Sequence, residues 1–160
     1  MTVFLALIVI LSIWQIFNLL KMSPKLFSKK KYEQNIYDGK RRALDAQEKV
    51  LSDANNSKIK KAEIFVKKLL LVVFVAKCSF SIFTMWCIYN PNHMIVTAVA
   101  GLLTLACIVL DFLDLNEVSN VSIHDDVENV CYKKSRVSEI IKWFIRLFRS
   151  LVVILLVFLT

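Results

Sequence analysis

Four apolar blocks, separated by segments that hold almost all of the charge, constrain this chain more than any other feature. The blocks are residues 2–20, 69–88, 94–113 and 143–159 of a 160-residue chain. A helix of about 20 residues is about 30 Å long, which matches the hydrocarbon core of a bilayer. Hydrophobic residues make up 57% of the chain, above the roughly 45–50% typical of soluble domains. The pattern predicts an all-α, polytopic integral membrane protein.

The distribution of basic residues predicts the orientation. Residues 21–68 contain fourteen Lys and Arg against six Asp and Glu. Because loops rich in Lys and Arg stay in the cytoplasm, we predict that this segment is cytoplasmic and that the N-terminus lies outside. The first block has no positive charge before it, unlike a cleaved signal peptide, so we predict that it remains as a membrane span. Within the cytoplasmic segment, Ser23 and Pro24 resemble an N-cap and first helical residue.

The chain divides into six predicted segments. They are transmembrane helix 1 (1–20), a short basic cytoplasmic helical hairpin (21–64), transmembrane helix 2 (65–90), a turn and transmembrane helix 3 (91–115), an acidic-to-basic cytoplasmic loop (116–136) and an amphipathic, then apolar, C-terminal helix (137–160). Two interpretations of the last segment remain open. It inserts from about Trp143 as a fourth span, which we favour, or it lies slanted and packs on the bundle.

Lys77 is the sharpest functional signal, because it lies inside an apolar run long enough to cross a bilayer. A charge at such a position is costly and is usually paired or used. Asp111 approaches the same cytoplasmic boundary from the next span, so an ion pair is reachable if the two residues face each other. We predict that Lys77 and Asp111 either contact a partner or path, or form a structural pair.

Further charged residues form two predicted surfaces. The acidic patch, which continues from Asp111, comprises Asp114, Glu117, Asp125 and Asp126, and we expect it to dock on the basic hairpin or on the basic final helix. Three basic residues of the last segment, Lys142, Arg146 and Arg149, are predicted to lie at the lipid interface. The acidic spacing lacks the pattern of a calcium loop, so we predict no metal site. The four cysteines form no paired motif.

These patterns favour two functions. The first is a non-enzymatic accessory or structural subunit of a larger membrane assembly in transport, secretion or insertion, which contacts its partners through the hairpin and Lys77. The second is a homo-oligomeric pore or channel, with Lys77 and the nearby Ser79, Ser81 and Thr84 along the path. Partners would be membrane lipids and other subunits or further copies of this chain. The net charge of +8 reflects the cytoplasmic segment, so we predict no nucleic acid, and no catalytic or cofactor motif occurs.

Overall fold

The chain is an all-helical bundle in the computed structural model, which describes residues 2–53, 56–119 and 135–160. The helices are α1 (Thr2–Phe27), α2 (Lys29–Asp53), α3 (Asn56–Cys87), a 3-10 turn (Pro91–His93), α4 (Met94–Ser119) and α5 (Arg136–Leu159). Within these described ranges, three stretches are long and apolar enough to cross a membrane: Val3–Phe27, Lys60–Cys87 and Pro91–Glu117. The all-α prediction is therefore confirmed.

The first helix continues through Pro24, so the prediction that Ser23 begins a new helix is wrong. Proline has no N–H, so the carbonyl of Leu20 loses the donor that it would normally have four residues later. The hydroxyl of Ser23 donates to that carbonyl at 2.7 Å instead. With this carbonyl satisfied, α1 runs on to Phe27 and only Ser28 separates it from α2.

Helix α5 forms the centre of the packing. It lies along both α1 and α4, while α3 packs on α4 and makes few contacts with α1. Two clusters of buried apolar side chains hold these helices together. One comprises Ile8, Ile88, Ala100, Val153 and Leu156, and the other comprises Leu19, Leu26 and Trp143.

Both ends of α5 are anchored, at opposite ends of the bundle. At the end from which α2 departs (the hairpin end), Arg136 Nε donates to the carbonyl of Leu26 at 2.9 Å, and a second guanidinium nitrogen donates to the carbonyl of Phe27. At the other end (the loop end), Asn90 Nδ2 donates to the carbonyl of Leu159 at 3.0 Å. Helix α5 therefore runs the whole length of the bundle, about 36 Å for its 24 residues.

The bundle is apolar outside and partly polar inside. Large apolar side chains such as Trp14, Ile82 and Leu102 are more than 60% exposed. Buried polar residues are nearly as numerous as buried apolar ones; they are Ser12, Ser81, Thr84, Asn90, Thr97, Thr104, Lys142 and Ser150. Soluble proteins show the reverse arrangement, with their most apolar side chains inside.

Helix α2 stands apart from the bundle. It contacts α1 near their junction, and Tyr32 packs against Trp143 of α5, but within the described residues it makes almost no contact with α3. Helix α3 is continuous from Asn56 to Cys87, so its polar first part leads without a break into its apolar part. The connection between α2 and α3 includes residues 54 and 55, which lie outside the described part of the chain.

Candidate functional site

Three of the basic side chains of α5 share one face, and this face lies against α4. Lys142, Arg146 and Arg149 are spaced four and three residues apart, which places them in one row along a helix. Lys142 is buried, and the two arginines are half-buried. The structure thus gives all three residues protein partners, and their predicted contact with lipid stays a prediction. Together with their partners, they form the candidate site, which we call the charged ladder.

The first step of the ladder lies nearest the hairpin end. Lys142 Nζ donates to Asp114 Oδ1 at 2.6 Å and to Glu139 Oε1 at 3.1 Å. Its side chain is only 10% exposed, so two carboxylates compensate a charge that is nearly removed from solvent. Of the two docking surfaces predicted for the acidic patch, Asp114 therefore contacts the final helix.

The second step joins three helices through one carboxylate. Asp111 accepts from Arg146 at 2.9 Å through one oxygen and from Lys77 at 2.6 Å through the other. Arg146 also reaches Asp114 at 3.3 Å, which connects the first and second steps. Asp111 is 14% exposed whereas Lys77 is 53% exposed, so Lys77 reaches inward from the outer surface of the bundle. The ion pair between Lys77 and Asp111 is present, while a role in binding or conduction stays a prediction.

The third step has no carboxylate among the described residues. Arg149 Nε donates to Thr104 Oγ1 at 3.3 Å, and another guanidinium nitrogen donates to Ser81 Oγ at 3.2 Å. Both acceptors are neutral hydroxyls. In the described part of the chain, the ladder combines four cations with three carboxylates, and the uncompensated positive charge lies at Arg149.

Arg149 also borders a small, partly open groove between α1, α3 and α5. The groove has a volume of about 50 Å³, and its polar lining comes from Ser12, Gln15, Thr84, Arg149 and Ser150. The hydroxyls of Thr84 and Ser150 donate to carbonyls of their own helices, at 2.8 and 3.0 Å. The side chains of Ser12, which is largely buried, and of Gln15 open onto the groove, and neither has a hydrogen-bond partner among the described residues. Two polar side chains therefore face this space with unused hydrogen-bonding capacity.

Aromatic side chains close the hairpin end of the bundle. The indole Nε1 of Trp143 donates to the carbonyl of Leu19 at 2.8 Å. Its ring meets Phe27 edge-on at 5.3 Å and Phe144 at 5.0 Å between centroids. Tyr32, at the start of α2, packs against the same cluster, and burial raises the pKa of its phenol, with a smaller contribution from the negative charge of Glu139. These contacts tie the beginning of α2 to the beginning of α5.

The remaining predicted residues lie apart from the ladder. Glu117 is exposed and forms no ion pair with a described residue. Asp125 and Asp126 lie outside the described residues. Ser79 is exposed, whereas Ser81 and Thr84 are buried inside the bundle.

The third step and the groove were not identified from the sequence. The spacing of Lys142, Arg146 and Arg149 contained the signal, because it places all three on one face of α5. Which helix this face would meet could not be read from the spacing. The chain matches no protein-family model, no curated protein and no solved structure.

Proposed function

We propose that this chain is an integral membrane protein with four spans, and that it acts as a non-enzymatic subunit of a larger membrane assembly. The observation that carries the proposal is the inverted bundle: apolar side chains cover its outside, and the charged ladder lies within. An apolar outer surface is stable against lipid but not against water. Within a membrane, hydrogen bonds and ion pairs between helices satisfy the polar groups that lipid cannot.

Helix α5 is the fourth span in this proposal, although its basic residues make it less apolar than the other three. Its charges favour partners on α4 over lipid, which lowers the cost of burying them. Its two anchors, at Leu26 and at Asn90, lie at opposite ends of the bundle. Because α5 runs from one end of the bundle to the other, it is long enough to cross a membrane.

The hairpin end faces the cytoplasm in the proposed orientation. One stretch of eleven residues, 21–31, contains the α1–α2 junction and five exposed lysines: Lys21, Lys25, Lys29, Lys30 and Lys31. Basic residues beside a span favour the cytoplasmic side and anionic headgroups. Trp143 and Tyr32 pack together at the same end, and Trp and Tyr are the aromatic residues enriched at membrane interfaces.

A role as a subunit is favoured over a pore by the direction of the polar side chains. A pore between copies of the chain requires polar residues on an outer face of each copy. Of the residues along that path, Lys77 and Ser79 are exposed, but Ser81 and Thr84 lie inside one copy, and Ser81 accepts a hydrogen bond from Arg149. Helix α2, by contrast, stands away from the bundle and exposes Tyr37 and Leu44, two apolar side chains that a partner protein would cover.

The first experiment is purification of the tagged chain in a mild detergent, followed by native mass measurement. We expect a complex of fixed stoichiometry that contains at least one other membrane protein. The double variant Tyr37→Ser/Leu44→Ser should lose that partner while remaining in the membrane, and Glu117→Gln is the matched control. A pure homo-oligomer that conducts ions in liposomes would refute the proposal and favour the pore.

The fourth span has its own test, in a background without native cysteines. Thr160→Cys should react with a membrane-impermeant thiol reagent from outside the membrane, whereas Lys30→Cys should react only from the cytoplasmic side. Labelling of both positions from the same side would exclude a fourth span.

A further inference from the structure

We propose that Arg149 and the groove beside it bind a carboxylate on a transmembrane helix of a partner subunit. The inference rests on the proposed function and specifies where a partner meets this chain inside the membrane. It is carried by three observations: an uncompensated charge, the depth of that charge in the bundle, and an adjacent groove with unused polar groups.

The charge at Arg149 is incompletely satisfied. A guanidinium carries five N–H donors, and here two of them meet neutral hydroxyls, on Ser81 and Thr104. Lys142, Arg146 and Lys77 each meet a carboxylate, and Arg149 meets none among the described residues. A cation away from water is usually paired with an anion. An additional carboxylate would bring the ladder to equal numbers of positive and negative groups.

The depth of Arg149 indicates where that carboxylate comes from. Arg149 lies thirteen residues from Arg136 and ten from Leu159, or about 20 Å and about 15 Å from the two ends of α5. Lipid phosphates lie at the membrane surface, so their charges are far from this level. The hydroxyls of Ser81 and Thr104 hold the guanidinium inside the bundle rather than extended toward a surface. An acidic side chain near the middle of a partner helix reaches this depth.

The groove provides the space and the remaining donors. Its volume of about 50 Å³ exceeds that needed for one water molecule, so a short side chain fits. The Ser12 hydroxyl and the Gln15 amide can both donate to a carboxylate. Helices α1 and α3 make few contacts with each other, including the rings of Phe4 and Phe83 at 5.9 Å between centroids. Between them, Leu11 and Phe80 line the groove and are each 41% exposed, so they offer an apolar rim to a partner helix.

A designed peptide tests the groove without the native partner. The purified chain is placed in phosphatidylcholine vesicles at pH 8 with a helical Leu/Ala transmembrane peptide that carries one central Asp. Binding of the peptide is measured by resonance energy transfer between a fluorophore on the peptide and another on the chain. We expect the Asp peptide to bind about tenfold more tightly than the matching Asn peptide, because it forms a charge-assisted hydrogen bond. Arg149→Gln should abolish that difference, and Arg149→Lys should retain part of it.

Two controls separate binding from folding. Arg136→Gln removes another arginine that makes two hydrogen bonds, but at the hairpin end, and it should leave peptide discrimination unchanged. The unfolding of Arg149→Gln without peptide is measured in parallel. We expect the free energy of unfolding of this variant to be unchanged or higher. The variant loses an uncompensated charge, and its amide can still form hydrogen bonds with the hydroxyls.

The outcomes distinguish this inference from the proposed function. Equal binding of the Asp and Asn peptides, or undiminished discrimination by Arg149→Gln, would overturn the inference, as would a loss of folding in that variant. If the native complex forms normally with Arg149→Gln but not with the α2 variant, the proposed function stands without a groove contact. If the wild-type chain purifies with no partner, the proposed function fails even where the peptide binds.

Discussion

Replacing Asp111 with Asn tests the charged ladder at the residue that joins three helices. The carboxylate accepts one hydrogen bond from Arg146 and another from Lys77, at 2.9 and 2.6 Å. A hydrogen bond to a charged group contributes about 1.5–3 kcal/mol, and breaking a buried ion pair costs about 3–5 kcal/mol. Asn retains one acceptor oxygen and Lys77 is half exposed, so both effects are reduced. We expect the free energy of unfolding to fall by about 2–3 kcal/mol.

The measurement is unfolding of the purified chain in detergent micelles, with helicity followed by circular dichroism as a denaturing detergent is added. Glu117→Gln is the matched control, because it also removes one carboxylate from α4 but at an exposed position without an ion pair to a described residue. It should change stability by less than about 0.5 kcal/mol. Equal losses in the two variants would refute the argument that Asp111 joins the helices.

A double-mutant cycle isolates the pair between Asp111 and Lys77. Lys77→Leu alone should cost about 1 kcal/mol, since Asp111 retains Arg146 and Lys77 is half exposed. The double variant should be less destabilised than the sum of the single variants by at least about 0.5 kcal/mol. Strict additivity would mean that the contact contributes nothing measurable.

Three further substitutions test the anchors and the packing of the bundle. Arg136→Gln should lower stability by about 1–2 kcal/mol and speed amide exchange in the last turn of α1, whose carbonyls the guanidinium binds. Asn90→Asp should cost about 1–2 kcal/mol and loosen the last turn of α5, because a carboxylate cannot donate to the carbonyl of Leu159; unchanged exchange there would contradict the anchor. Gly101→Ala should be neutral or stabilise by up to about 1 kcal/mol, because an added Cβ meets only Met85, at an ordinary 3.9 Å. A lower unfolding temperature for Gly101→Ala would show that α3 packs against Gly101 more closely than this distance indicates.

The helices and their apolar character follow from the sequence alone. Long blocks of apolar residues without Pro, and with Gly101 as their single Gly, favour helices long enough to cross a membrane, and this property depends on local composition rather than on neighbours in space. The end of α1 shows where local interpretation failed. Proline is suited to the first turn of a helix and tolerated later where another donor serves the freed carbonyl, so Ser23 and Pro24 were compatible with either arrangement.

The identity of the candidate site was decided by the tertiary structure. The sequence placed Lys142, Arg146 and Arg149 on one face of α5, but the same spacing suits a helix on a membrane surface and a helix against acidic residues. Packing of α5 between α1 and α4 directs this face toward Asp111 and Asp114, and among the described residues it gives Arg149 two hydroxyls and no carboxylate. Pairing between residues distant in the chain depends on how helices rotate about their axes, which periodicity within one helix does not determine.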